Sequence, residues 1–381
     1  MVSRKKVRLF VDYIPYGRQC IDEDDIQVVV DVLRGDLITQ GPVNEAFERA
    51  VAEYVGVTHA VVFSSGTAAL HGAYFAAGVE PGDEIITSPL TFVATANAAL
   101  YLGGRPVFAD IDEKTLCLDP KEALRKVTDK TKAVVPVSYA GCPVDISAFR
   151  EAMPGIPVIE DACHAIGGER NGNKVGKDAD MTVFSFHPVK HITTGEGGMV
   201  VTDNEKFAER LRFFRSHGIT KDPGLLLQKG QGPWYYEMQM LGYNYRLTDI
   251  QSALGLSQLR KLDASIAKRR EIARRYDEGF AKVEWVTLPP QHPGHAYHLY
   301  PIQVNPTIRK KLFEHLRSNG IGVQVHYIPV HMHPYYREVL FFKKGDFPKA
   351  EMLYEGEISL PIFPQVTKDQ QENILRTVLD I

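Results

Sequence analysis

Residues 59–78 read HAVVFSSGTAALHGAYFAAG: an apolar run of strand length stops at two serines and a glycine, and an alanine-rich run of helical length starts at once. The same unit recurs downstream. DEIITSP (83–89) leads into TFVATANAALYLG (91–103), RPVFADI (105–111) into a helix beginning near Asp119, TKAVVPVSY (131–139) into DISAFREAM (145–153), and PVIED (157–161) into the short ACHAIGG (162–168). Strands that alternate with helices need crossover connections, so the fold expected is α/β with a mostly parallel central sheet.

Upstream, DDIQVVVDVL (24–33) and NEAFERAVAEYV (44–55) carry helical periodicity around the loop RGDLITQGP (34–42). Downstream, MTVFSF (181–186) and GGMVVTD (197–203) read as neighbouring strands joined by HPVKHITTGE, and NEKFAERLRFFRSHG (204–218) as a helix. The segment from Lys221 to Tyr245, rich in Gly, Pro and aromatic residues, reads as an excursion loop over a site or interface. A long helical pattern then runs from about Leu247 to Phe280, followed by a strand in YHLYPIQV (297–304), a helix around IRKKLFEHLRSN (308–319), a strand in GVQVHYIP (322–329) and a final helix. The division expected is a large α/β domain over residues 1–250 and a smaller α+β domain over 251–381, with the N-terminal segment able to pack on the smaller one.

The chain has 381 residues, 44% of them hydrophobic and 24% charged, the proportions of an ordinary soluble globular protein. Its 44 basic and 47 acidic residues give a net charge of -3, which supplies no global field for a nucleic acid or a membrane surface, so neither partner is expected. Cys20, Cys117, Cys142 and Cys163 lie far apart without a CxxC pair, against both a disulfide framework and a metal site. The opening MVSRKKVRLFVDYIPYGRQ is basic but lacks the apolar stretch of a signal peptide, and a cytoplasmic location is expected.

An open α/β sheet binds its ligand beyond the carboxyl ends of its strands, so the residues just past each apolar run are the candidates for chemistry. Ser64-Ser65-Gly66-Thr67-Ala68 follows HAVVF and opens a helix, where small residues, free N–H groups and the helix dipole suit a phosphate; on its own the stretch is also an ordinary helix cap. Asp161 ends PVIED, with His164 three residues on and facing the same crevice if that turn is helical. Lys190 sits between two apolar strands among small and hydroxyl residues, where burial lowers an amine's pKa and exposes a nucleophile. Together the three meet the needs of pyridoxal phosphate: an amine for its aldehyde, a carboxylate for its pyridinium nitrogen, and a helix N-terminus for its phosphate.

The motifs FSSGTAAL, SPLTFVATANA, VIEDACHAIGG, FSFHPVKHITTGEGGMV, GYNYRLTDIQSALGLSQL, HYIPVHMHPYY and ISLPIFP extend these features over nearly the whole chain, which resembles the DegT/DnrJ/EryC1/StrS family of sugar aminotransferases. Within the family, IPYGRQCIDEDDI, LITQGP, HPVKHITTGEGG and GIGVQVHYIPVHMHPYYR most resemble the branch that aminates a UDP-linked 4-keto-6-deoxy sugar on the route to pseudaminic acid. The resemblance implies a fold-type I pyridoxal phosphate enzyme in which Lys190 bonds the cofactor, Asp161 partners the pyridine nitrogen, and Gly66, Thr67, Ala68 and Ser185 hold the phosphate. It makes Phe92 the aromatic stacked on the ring and His164 the polar residue beside the phenolic oxygen. Asn244 and Arg246 match a segment that serves the neighbouring subunit's site, which implies a homodimer with shared sites.

L-glutamate and a nucleotide sugar are the partners so implied. Tyr16, Arg18, His326 and Tyr327 match the family's substrate-facing elements, and the stretch around Trp234, Tyr235 and Tyr236 is a further candidate wall, although Tyr and Arg also serve packing and interfaces. Family relatives that dehydrate at C3 carry His where this chain has Lys190, which speaks against that reaction here. Other UDP-, dTDP- or GDP-linked keto sugars, and a non-catalytic binding protein that kept the fold, remain the alternatives.

Overall fold

The apolar runs fold as strands: β1 His59–Phe63, β2 Glu84–Thr87, β3 Arg105–Phe108, β4 Thr131–Val135, β5 Ile159–Asp161, β6 Met181–Ser185 and β7 Gly198–Thr202. They are seen in a computed structural model that describes residues 13–381. The first twelve residues, which belong to the opening basic stretch and to the expected 1–250 domain, lie outside the described residues. β2 pairs in parallel with β3 and β4. Parallel bridges from Val134 to Val158 and from Val137 to Asp161 carry the sheet on to β5, which runs parallel to β6. β7 is antiparallel to both β6 and β1, giving the order β3-β2-β4-β5-β6-β7-β1 with β7 alone reversed. The fold is therefore α/β with a mostly parallel sheet. Every residue of β6 and β7 is buried, as expected of strands covered on both faces.

The Gly66–Ala76 helix shows why the alanine-rich run folds as it does. Eight of its residues are buried, and the five that are alanine or glycine let the helix lie close against the sheet. Ser65 caps it by accepting the Ala68 N–H at 3.1 Å.

Two expectations are corrected. The helical pattern from Leu247 to Phe280 is broken: one helix spans Asp249–Leu259 and a second Leu262–Phe280. At the break Lys261 donates its N–H to the Gln258 carbonyl, a tighter turn than an α-helix makes, while its ammonium reaches Asp22 and Asp25, both at 2.7 Å. The stretch GVQVHYIP does not form a regular strand. Its partners are single bridges, Ile14 to Ile321 and Gln324 to Ser359, because Ile14 of the N-terminal segment takes the hydrogen bonds of Gly320 and Gly322.

Beyond the break, β8 (Tyr300–Gln303) and β9 (Glu357–Leu360) pair antiparallel. A separate apolar cluster gathers around them from Ile14 and from residues between Ile272 and Val378. The excursion after Lys221 makes one short pairing back to the residues before it, Glu237–Met238 with Ile219–Thr220. Among the described residues no helix is long and apolar enough to cross a membrane, and no group of His, Cys, Asp and Glu is arranged to hold a metal ion.

Candidate active site

The ends of β1, β5 and β6 open on one cavity of about 440 Å³, and the turn 64–67, Asp161, Ser185 and Lys190 meet there. The turn is packed tightly. A Cβ on Gly66 would lie 3.0 Å from Ser185 Cβ, and one on Gly198 would lie 2.4 Å from the Ser65 carbonyl oxygen, so glycine lets the turn settle against β6 and β7. The Ala68 N–H is taken by Ser65 Oγ, which leaves Gly66 and Thr67 at the helix start, ahead of its first intrahelical bonds.

Asp161 ends β5 and is 4% exposed. Its carboxylate accepts the Thr95 hydroxyl at 2.7 Å and the Cys163 N–H at 3.2 Å. Thr91 and Thr95 share a hydrogen bond at 2.8 Å, so a second hydroxyl supports the first. These threonines lie four apart in SPLTFVATANA, one turn of helix, and sequence reasoning missed them because hydroxyls in such a stretch look like packing.

Lys190 lies on the loop between β6 and β7. Burial lowers its pKa to about 8, against the smaller opposing pull of Cys163 and Asp161. Its Nζ is 3.5 Å from His298 Nε2. His298 comes from a part of the chain more than a hundred residues away, and no local signal marked it. The His298 and His164 rings are 4.3 Å apart at their centroids, and His164 Nε2 lies 3.0 Å from the Tyr327 hydroxyl. Burial pushes both imidazoles well below their usual pKa, so they are neutral.

The opposite wall is aromatic. Phe92 is 57% exposed although apolar, and its ring stands 6.1 Å from that of Tyr327. Tyr16 and His326, their rings 5.4 Å apart, complete the rim.

The remaining candidates lie elsewhere in the chain. Arg18 borders a neighbouring cavity that shares Lys190. Trp234 is 75% exposed, and Tyr235 donates its hydroxyl to Glu237 at 3.1 Å; neither lines the cavity of its own chain. Asn244 is exposed and Arg246 half-buried, also outside that cavity, although the strip holding them touches the phosphate-type turn where Ser64 donates its N–H to the Tyr245 carbonyl.

Comparison with known proteins finds one family and several closely superposing structures. The family described as DegT/DnrJ/EryC1/StrS aminotransferase matches residues 19–379. The spore coat polysaccharide biosynthesis protein SpsC of Bacillus subtilis is 40% identical over 378 residues, 97% of each chain. Among solved structures, Helicobacter pylori PseC, an aminotransferase involved in the biosynthesis of pseudoaminic acid, superposes with a TM-score of 0.91 at 37% identity, covering 97% of this chain and 98% of its own. The PLP form of a putative sugar aminotransferase, Spr1654 of Streptococcus pneumoniae, gives a TM-score of 0.88 at 30% identity, covering 96% and 97%.

Proposed function

The chain belongs to the DegT/DnrJ/EryC1/StrS aminotransferase family, and from that premise we propose that it moves an amino group from L-glutamate to C4 of a UDP-linked 4-keto-6-deoxy sugar. The sugar we assign is UDP-2-acetamido-2,6-dideoxy-β-L-arabino-hexos-4-ulose, on the route to pseudaminic acid. The observation that carries the reaction is Lys190, a lysine at a cavity with its amine lowered to about 8, across from a buried carboxylate. The likeness to PseC supports the choice of sugar.

Pyridoxal 5′-phosphate is the cofactor, as in the PLP form of the Streptococcus relative. When bound it supplies an aldehyde that accepts an amino group and a ring that takes up the electrons of a breaking C–H bond. The residues present fit it, since the cavity is lined by the start of the Gly66–Ala76 helix, whose first N–H groups have no intrahelical partner, beside the Ser185 hydroxyl and an exposed phenyl face at Phe92. Gly66, Thr67 and Ser185, with Ala68 behind them, would hold the phosphate, Phe92 the ring face and His164 the phenolic side. Asp161, its carboxylate fixed by Thr95 and Cys163, would hold a proton at the ring nitrogen.

Lys190 does the proton work. At pH 7 a lysine with a pKa of about 8 is roughly one-tenth neutral, some 300 times more than an ordinary lysine. The neutral amine would carry a proton between the donor carbon and the cofactor in one half-reaction, and between the cofactor and C4 of the sugar in the other. Tyr16, His326 and Tyr327 line the side left for the sugar nucleotide. Asn244 and Arg246, offered outward, serve the cavity of a second copy, so the working unit is a homodimer. The reaction belongs in the cytoplasm, where the free thiols at Cys20 and Cys163 stay reduced.

The test is the visible spectrum of the holoprotein. L-glutamate should bleach its band, and of the UDP-, dTDP- and GDP-linked 4-keto-6-deoxy sugars only the UDP-linked one should restore it. Restoration by a dTDP or GDP sugar overturns the assigned substrate while keeping the transaminase, and no response to any amino donor removes both. The 40% identity to SpsC favours a second reading, in which the acceptor is another nucleotide-linked keto sugar destined for a surface polysaccharide.

A further inference from the structure

His326 is held by two residues of β9. Its backbone N–H donates to Glu357 Oε2 at 2.7 Å, and its Nδ1 lies 2.9 Å from Ser359 Oγ. Ser359 Oγ is in turn 2.5 Å from Glu357 Oε1. Glu357 and Ser359 are fully buried, and His326 lines the sugar side of the cavity. The chain Glu357–Ser359–His326 is thus closed at both ends, and among the described residues the other ring nitrogen, Nε2, takes no partner.

A hydroxyl has one proton to give, so the chain runs in one of two directions. If the Glu357 carboxyl is neutral, its O–H donates to Ser359, Ser359 donates to Nδ1, and Nε2 carries the hydrogen. If Glu357 is ionised, Ser359 donates to it, Nδ1–H donates to Ser359, and Nε2 is a bare acceptor. We propose that Glu357 and Ser359 are positioning residues that set the tautomer of His326, so that at neutral pH its Nε2–H is the hydrogen-bond donor offered to an oxygen of the sugar nucleotide. No bond is made or broken in this role; the proton stays within the chain.

The surroundings favour the neutral carboxyl. Burial raises the Glu357 pKa to about 8, with hydrogen bonds from Ser359 and His326 and the charge of Arg309 pulling the other way. The Tyr139 and Tyr327 hydroxyls also face Glu357. His326 itself faces Lys190, His164, Tyr16 and Tyr327, and burial with the Lys190 charge keeps its ring neutral, at a pKa of about 3. Raising the pH through about 8 therefore reverses the chain and turns the Nε2 donor into an acceptor.

The direct test is histidine 15N NMR of the labelled holoenzyme, with the His326 signals assigned by His326→Gln. At pH 7 the protonated nitrogen should be Nε2, and by pH 9.5 it should be Nδ1. Glu357→Gln keeps a donor toward Ser359 at every pH, so it should hold the Nε2–H form throughout. In kinetics, the wild-type KM for the sugar nucleotide should rise about fivefold between pH 7 and 9.5 with the L-glutamate KM unmoved, and Glu357→Gln should flatten that rise. Ser359→Ala breaks the chain and should raise the sugar KM at pH 7 while kcat stays within twofold. A tautomer that ignores both pH and Glu357→Gln overturns the proposal. So does a sugar KM that Ser359→Ala leaves unchanged. The KM arm rests on the proposed function; the NMR arm does not, so failure of the substrate assignment leaves the tautomer measurement standing.

Discussion

The two walls of the cavity are built differently. One wall is the sheet: Asp161 at the end of β5, Ser185 at the end of β6 and the turn after β1 stand at strand ends whose register is set by main-chain pairing. The other wall, with His326 and Tyr327, lies on irregular chain held by single bonds, such as His326 N–H to Glu357 and the Tyr139 hydroxyl to the His326 carbonyl. In the proposed reaction the first wall would carry groups any substrate needs, and the second groups that meet one particular substrate. Changes to the sheet wall should therefore cost rate with every substrate, and changes to the irregular wall should act chiefly on the sugar half.

The largest effect belongs to Lys190→Ala. It removes the proposed proton carrier, and transamination should fall by about 10³-fold or more with donor and acceptor alike. Asp161→Ala should follow. Loss of a buried charge partner costs about 3 kcal/mol, which is about 10²-fold in rate, and stopped-flow measurement of each half-reaction should show both slowed equally. If Asp161→Ala slows only the sugar half, the division between walls is wrong.

A pH experiment sharpens the same wall. If Lys190 bonds the cofactor as proposed, uptake of pyridoxal phosphate by the apoprotein needs its neutral amine, held at about 8 by burial. Its rate should climb as pH rises from 6 and level above about 8, because protonation below that value removes the nucleophile. A rate that climbs without a plateau up to pH 10 would mean that the amine is not depressed.

Gly66→Ala forces a Cβ to within 3.0 Å of Ser185, so the turn or β6 must give. Overpacking of this kind costs about 1–3 kcal/mol, and cofactor affinity measured by equilibrium titration should drop roughly tenfold. The smallest effect falls on the irregular wall. Tyr327→Phe removes the hydroxyl bonded to His164, worth about 1 kcal/mol, and the sugar KM should rise several-fold with the glutamate half-reaction slowed less, through His164 alone.

The same division explains what was readable before the fold. Asp161, Lys190 and the Ser64–Ala68 turn each follow an apolar strand in the chain, so a local pattern names them. Thr95 and His298 matter only because distant segments bring them to Asp161 and Lys190, and nothing in ATANA or HLYPI marks that contact. The misread strand at GVQVHYIP has the same origin: its alternating residues suit a strand, but Ile14 and Ser359 offer it only isolated partners. The helix break at Lys261 depends on Asp22 and Asp25, some 240 residues earlier in the chain.

The central claim is that Lys190 is the residue that bonds the cofactor. Borohydride reduction of the holoprotein, followed by proteolysis and peptide mass spectrometry, tests it in one step. The account predicts the reduced cofactor on the peptide that contains Lys190 and on no other. A label on a different lysine, or a holoprotein that carries none, would contradict it.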